Sequence, residues 1–205
     1  MAGPRLRAIR SRVLWRALLI VTAIGRRIPL PVGQFLGRAM GRLAWHVVRR
    51  ERNKALRNVG IAFPEWDEAK RRETVRAMLR HFGMSLFEIA WLWNMNVPTR
   101  DRHTTFEGAE EMLKLIDEGR NVVIFTAHCG NWEWLTVAIG LFGRPTRVLQ
   151  RERDESQMNH YITAFRARAG VRSIDRGAPS SAREMIQSAR SGGIMAFLID
   201  QNIRT

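Results

Sequence analysis

One short stretch concentrates the residues that can do chemistry. In "NVVIFTAHCGNWEWL", Asn121 to Leu135, an apolar run stops at His128, and Glu133 follows five residues later between Trp132 and Trp134. A histidine beside a carboxylate is a general base with a fixed tautomer, because the carboxylate orients the imidazole and stabilises the imidazolium. With no serine or cysteine in the pair, such a dyad suits activation of a substrate hydroxyl. Cys129 is a second candidate nucleophile beside His128, but adjacent residues leaving a strand tend to point apart. Zinc fits poorly, since it takes three or four protein ligands and neither HExxH nor a paired-cysteine pattern is present.

Spacing alone does not single out this pair. His46 and Glu51 repeat it within "HVVRRE". On the helix predicted there, residues five apart point about 140° away from each other. His128 sits in a different context. "NVVIFTA" is continuously apolar, which reads as a strand buried on both faces. Cys129-Gly130 then forms a tight turn, and Asn131 caps a helix with Glu133 in its first turn. A strand–turn–helix passage can bring residues five apart within hydrogen-bond reach, and a helix N-terminus supports an oxyanion or a phosphate. A capped turn holding a histidine with no catalytic role is the plain alternative.

The elements around this stretch alternate. After Pro98, helices are predicted over 107–119, 131–142, 155–169 and 179–191. Strands are predicted at 121–127, "TRVLQR" (146–151), "RSID" (172–175) and "GIMAFLID" (193–200). That order implies an α/β domain with a largely parallel sheet flanked by helices. Such sheets bind ligands beyond the carboxyl ends of their strands. His128 lies there, and so does Asp200.

The first part of the chain is helical and basic. Residues 33–59 and 68–93 carry apolar residues at three- and four-residue steps. Gly33, Gly37 and Gly41 recur every fourth residue, a spacing that lets helices or lipid approach closely. Pro64 breaks the chain, and Asp67 or Glu68 opens the second helix. Glu88 lies in the apolar stretch "MSLFEIAWLW", either paired or functional.

Of the 205 residues, 45% are apolar, which excludes a disordered chain. The single cysteine excludes an internal disulfide framework and fits a reducing compartment. The net charge of +15 is uneven: residues 1–60 hold 14 Lys and Arg against one acid, while residues 61–205 hold 20 against 18. Local basicity implies an anionic partner, nucleic acid or a membrane surface. The apolar run "VLWRALLIVTAIG" (13–25), flanked by arginines, favours the membrane. It is shorter than the ~20 residues of a spanning helix and is interrupted by Arg16. An interfacial helix is expected, with arginines on headgroups and Trp15 at the boundary; a signal peptide and an ordinary packed helix are the alternatives. The charge shift divides the chain into a membrane-associating helical segment (1–60) and an α/β domain (61–205).

"TAHCGNWEW" resembles the HxGNWE block of the bacterial lipid A late acyltransferases, the lauroyl/myristoyl acyltransferase family, within the larger group of glycerolipid-type acyltransferases that carry H-x4-D/E. Further blocks agree in order: "ERNKALRNVGIAFPE", "FGMSLFEIAWLW" with Glu88, "FEGAEEMLKLIDEGRNVVIFTAH", "VLQRERDESQMNHYITAFRARAG" with Arg166 and Arg168, and "GGIMAFLIDQN" with Asp200 and Gln201. The resemblance covers roughly residues 35–203.

It implies an O-acyltransferase in which His128 deprotonates an acceptor hydroxyl, Glu133 orients and polarises His128, and the hydroxyl attacks a thioester on acyl carrier protein. Asn131, Arg166 or Arg168, Asp200 and Gln201 are the implied substrate-binding residues, with the equivalent arginine left open. No cofactor is implied, since the acyl donor is a co-substrate. The implied place is the cytoplasmic face of the bacterial inner membrane, on anionic lipids, with a lipid A precursor or related glycolipid as acceptor. Family members continue beyond Asp-Gln-Asn with a further Gly- and Phe-rich block, so the C-terminal part of the domain is expected to be missing here. The motif does not separate lipid A from a phosphatidylinositol mannoside or a lysophospholipid as acceptor. A non-enzymatic nucleic-acid binder would spread basic and aromatic residues over one face, and the confinement of basicity to residues 1–60 speaks against it.

Overall fold

A computed structural model describes residues 15, 16, 19–151 and 156–200. The described residues form two compact units, one within 16–92 and one within 93–200 that also takes in Trp15.

Within residues 16–92, a helical stretch at 19–25 precedes α1 (Leu30–Val47), α2 (Arg49–Ala62) and α3 (Glu68–Trp91). Pro31 sits in the first turn of α1, where its missing N–H costs no hydrogen bond. Asp67 caps α3 by accepting from the Lys70 N–H at 2.7 Å, and Glu68 pairs with Arg72 one turn on. The single helix expected over 33–59 is two: Val48, at φ −90° and ψ 55°, interrupts it at a pair of β-branched valines that are weak helix formers.

The glycine repeat has a structural cause. α1 and α3 pack so closely that a Cβ on Gly37 would lie 2.6 Å from the Gly83 carbonyl oxygen, and one on Gly83 would strike the Gly37 carbonyl. Glu88 is buried in this pair and accepts from Gln34 Nε2 at 2.8 Å. Because α3 belongs to the same packing unit as α1, the unit runs to Leu92, not to residue 60 where the charge shifts. Several large apolar side chains remain exposed, among them Phe35, Leu43 and Val47 on α1 and Phe82 on α3. Among the described residues no helix is long and apolar enough to cross a membrane. Residues 13, 14, 17 and 18 of the expected interfacial helix lie outside the described residues.

The second unit holds the sheet. α4 (Val97–His103), capped by Asn96, precedes α5 (Ala109–Asp117). Then come β1 (Asn121–Thr126), α6 (Trp132–Gly140), β2 (Thr146–Arg151), α7 (Ser156–Ala167), β3 (Val171–Arg176), α8 (Ser181–Arg190) and β4 (Gly193–Leu198). All strand pairs are parallel, in the order β1-β4-β2-β3. One face packs on α5 and α6 around Ile116, Ile139 and Ile194, with Val122 and Ile124 of β1 against them. α8 packs on β3 and β4.

β1 departs from the expectation of burial on both faces. Val123 is 50% exposed and Phe125 66% exposed, because no described element covers that face of the strand. An apolar run marks a strand but does not say how many layers cover it.

Candidate active site

Register brings the first two groups together. β1 and β4 are adjacent and parallel with Thr126 opposite Leu198, so His128 and Asp200 each lie two residues past the end of neighbouring strands. The pairing continues past the sheet, with the Ile199 N–H donating to the Thr126 carbonyl at 3.0 Å. Gly130, at φ +60°, then turns the chain into α6; a left-handed residue there favours glycine. Asn131 Oδ1 accepts from the Trp134 N–H at 3.1 Å and closes the first turn of the helix, as its position implied.

Asp200 holds His128 twice. One carboxylate oxygen accepts from the His128 backbone N–H at 3.0 Å, and the other lies 2.9 Å from Nδ1. The His128 side chain first, and its backbone N–H second, hold the Asp200 carboxyl below the usual aspartate range. An ionised carboxylate only accepts, so Nδ1 carries the proton and Nε2 of the neutral ring keeps a lone pair. The ring packs edge-on against Trp132, with centroids 4.9 Å apart. The His128 and Asp200 side chains are 32% and 35% exposed, so the pair is open to solvent. This is the arrangement of a general base with its orienting carboxylate.

Glu133 does something else. It is 8% exposed in the first turn of α6, and both of its oxygens are engaged by Arg166, itself 8% exposed, near the end of α7. Nε donates to Oε2 at 3.0 Å and Nη2 to Oε1 at 2.5 Å, a two-pronged pair. The third nitrogen of Arg166 donates to Gln150 Oε1 at 2.7 Å. Gln150 Nε2 in turn donates to Asp175 Oδ1 at 2.7 Å. The expected hydrogen bond between His128 and Glu133 is absent: the glutamate turns inward to a buried arginine whose charge has to be matched.

The two arginines stand in different surroundings. Arg166 joins the network, while exposed Arg168 stacks over Trp93, 4.9 Å from the ring centroid, and donates to the Trp93 carbonyl. Cys129 is exposed. Gln201 lies outside the described residues. Gln150 and Asp175 were not singled out in the sequence. Their signal was available: both sit near the carboxyl ends of β2 and β3, the edge that His128 and Asp200 share, and they face each other in register.

Comparison with known proteins matches the sequence to a family. The model of the family described as bacterial lipid A biosynthesis acyltransferase matches residues 3–205. The chain is 27% identical over 184 residues to the lipid A biosynthesis lauroyltransferase of Escherichia coli (strain K12), covering 86% of this chain and 56% of that protein. It is 25% identical over 180 residues to the palmitoleoyltransferase of the same organism, with the same coverage. A lipid A biosynthesis acyltransferase of Haemophilus influenzae is 25% identical over 179 residues, covering 86% of this chain and 53% of that protein. The chain thus spans about half the length of the curated relatives it matches.

Proposed function

The chain belongs to the bacterial lipid A biosynthesis acyltransferase family, and from that premise we propose that it forms the catalytic part of an O-acyltransferase. The reaction moves a fatty acyl group from a thioester, carried on acyl carrier protein, to a hydroxyl of a lipid A precursor or related glycolipid. The carrier and the acceptor class rest on the family resemblance. One observation carries the mechanism: His128 Nδ1 lies 2.9 Å from the Asp200 carboxylate at the carboxyl edge of a parallel sheet.

His128 Nε2 takes the acceptor's hydroxyl proton as the oxygen forms its bond to the thioester carbon. The tetrahedral intermediate then breaks its carbon–sulfur bond, and the imidazolium returns the proton to the departing thiolate. Asp200 fixes the tautomer and stabilises the imidazolium. The first turn of α6, starting at Trp132, favours the developing oxyanion. Glu133 and Arg166 tie α6 to α7 and hold the turn that presents His128. The exposed apolar side chains of residues 16–92 and the basic N-terminal segment support a place at the cytoplasmic face of the inner membrane.

The test is acyl transfer from acyl-acyl carrier protein to a tetraacylated lipid A precursor by membranes containing the full-length protein, beside His128→Ala. The variant should lose ~10²–10⁴ in rate, the contribution of a positioned base. Equal activity in parent and variant would leave the histidine a structural turn residue.

A further inference from the structure

A helix that packs on a sheet usually turns apolar residues toward it. α7 instead turns a polar stripe toward β2. Asn159, Thr163 and Arg166, at four- and three-residue steps, all reach Gln150. Gln150 stands directly opposite Asp175 in the parallel register of β2 and β3. Its Nε2 donates to Asp175 Oδ1 at 2.7 Å and lies 3.2 Å from Asn159 Oδ1 and 3.4 Å from Thr163 Oγ1. Its Oε1 accepts from Arg166 Nη1 at 2.7 Å. Polar groups between a helix and a sheet cost free energy unless each is matched, so the members of such a network depend on one another.

The amide has one allowed orientation. A guanidinium only donates and a carboxylate only accepts, so the Gln150 oxygen faces Arg166 and the nitrogen faces Asp175. Gln150 thereby links a carboxylate to a cation whose other two nitrogens grip a second carboxylate, that of Glu133. The line then reaches the base. Glu133 follows Trp132 in the first turn of α6, and the Trp132 ring meets the His128 imidazole edge-on with centroids 4.9 Å apart. The line starts on β3 and ends beyond β1, the two outer strands of the order β1-β4-β2-β3. His128 therefore has two supports. Asp200 sets its tautomer through Nδ1, and the line from Asp175 sets the turn that carries it and the ring that packs on it.

We propose that Gln150 and Asp175 are positioning residues for the His128 base: they lock the Arg166 guanidinium, and through Glu133 and Trp132 they fix where the imidazole stands. The proposal rests on the reading of His128 as the base, and neither residue is asked to touch a substrate.

The test exchanges donor and acceptor in the full-length protein. Gln150→Glu sets a carboxylate against Asp175 with no hydrogen to share, and offers Arg166 a rival to Glu133. Asp175→Asn still presents an oxygen to Gln150 Nε2. Gln150→Glu/Asp175→Asn keeps the charge of the parent and reverses the bond, the new amide donating to the new carboxylate. Acyl-transfer kinetics are read beside the ring proton resonances of His128 and Trp132 and the cross-relaxation between the two rings. Gln150→Glu should lower kcat about 10- to 10²-fold, the size of one lost hydrogen bond to a charged group, with KM within about twofold of the parent. Its ring resonances should move and the cross-relaxation weaken, while the imidazole ¹⁵N shifts keep the Nδ1–H pattern that Asp200 imposes. Asp175→Asn and the exchange pair should both stay within about fivefold of the parent in kcat, with the parent's resonances. If Gln150→Glu misfolds by circular dichroism, Gln150→Met replaces it; it keeps the length, adds no charge and should displace the same resonances.

A folded Gln150→Glu protein that unfolds more easily but keeps the parent's kcat and ring resonances would overturn the proposal and leave the network a stabiliser of the fold. An exchange pair as impaired as Gln150→Glu would overturn it as well. A parent that transfers no acyl group would overturn the acyl-transfer reading instead. Resonances displaced in Gln150→Glu and restored in the exchange pair would then still support the positioning of His128.

Discussion

Replacing Asp200 by asparagine separates orientation from bulk, and the structure dictates the direction. Asp200 faces two His128 atoms at once, the backbone N–H at 3.0 Å and Nδ1 at 2.9 Å. The backbone N–H can only donate, so in Asp200→Asn the amide oxygen must serve it. The amide NH₂ then faces Nδ1 and can only donate to it. Nδ1 becomes the acceptor, and the ring proton moves to Nε2, the atom that has to be bare to act as a base. The variant keeps its shape and loses its base. The expected fall in kcat is ~10²–10⁴, the range for a positioned base; the corresponding substitution in serine proteases, through the same tautomer error, lies at the upper end. Two measurements check it: the acyl-transfer rate, and the imidazole ¹⁵N shifts of His128, which should report Nδ1–H in the parent and Nε2–H in the variant. Combining Asp200→Asn with His128→Ala should add little to either change, since the two act as one unit. A variant within a few-fold of the parent in kcat, or an unchanged tautomer with a lost rate, would refute the reasoning.

Three further outcomes follow from the same coordinates. Glu133→Ala leaves the Arg166 guanidinium buried and unmatched, and should lower the unfolding free energy by ~3–5 kcal/mol; Arg166→Ala should cost about as much, and the double variant less than the sum, as read by chemical denaturation. Gly83→Ala puts a methyl group into the Gly37 carbonyl and should cost ~1–3 kcal/mol or more by the same measurement, with no direct effect on the His128 tautomer. The Asp200 carboxyl is held below its ordinary value, so the stability it contributes is present above the unfolded pKa and is lost as pH falls through the lower folded one. The difference in thermal midpoint between parent and Asp200→Asn should therefore shrink as pH is lowered from about 5 to about 3, and a difference that grows over that range would reverse the sign assigned here.

Much of this arrangement was legible before any coordinates. The four strands fall where apolar and β-branched runs place them, and Gly130 and Asn131 make the turn and cap that their types imply. What sequence could not supply was contact across the sheet. Asp200 is 72 residues from His128, and only the order β1-β4-β2-β3 makes their strands neighbours. The break at Val48 was hidden because the apolar period runs through it on both sides. The boundary at residue 60 followed charge, whereas packing followed the glycines that seat α3 on α1. The α4 helix was passed over because Pro98 reads as a breaker, although proline in a first turn opens a helix as readily as it ends one.

The two carboxylates near His128 show why H-x4-E cannot be read as a dyad from spacing. A residue in the first turn of α6 has two directions open to it, toward the turn or down into the layer between α6 and α7. Arg166 decides between them. A guanidinium 8% exposed needs an anion, and the fork of Nε and Nη2 fits both oxygens of one carboxylate. Glu133 is engaged by Arg166, and among the described residues no hydrogen bond joins it to the imidazole. The histidine must then find its acceptor on the next strand, and the parallel register, which sets Leu198 opposite Thr126, delivers Asp200 two residues later. The division of labour is physical: the carboxylate matched to a buried cation ties α6 to α7, and the carboxylate at the open edge of the sheet orients the imidazole. It also explains how Glu133→Ala could abolish activity without touching the proton transfer. Loss of the Glu133–Arg166 pair would release α6 and with it the turn that carries His128, so stability would fall while the tautomer of the remaining folded protein stayed that of the parent.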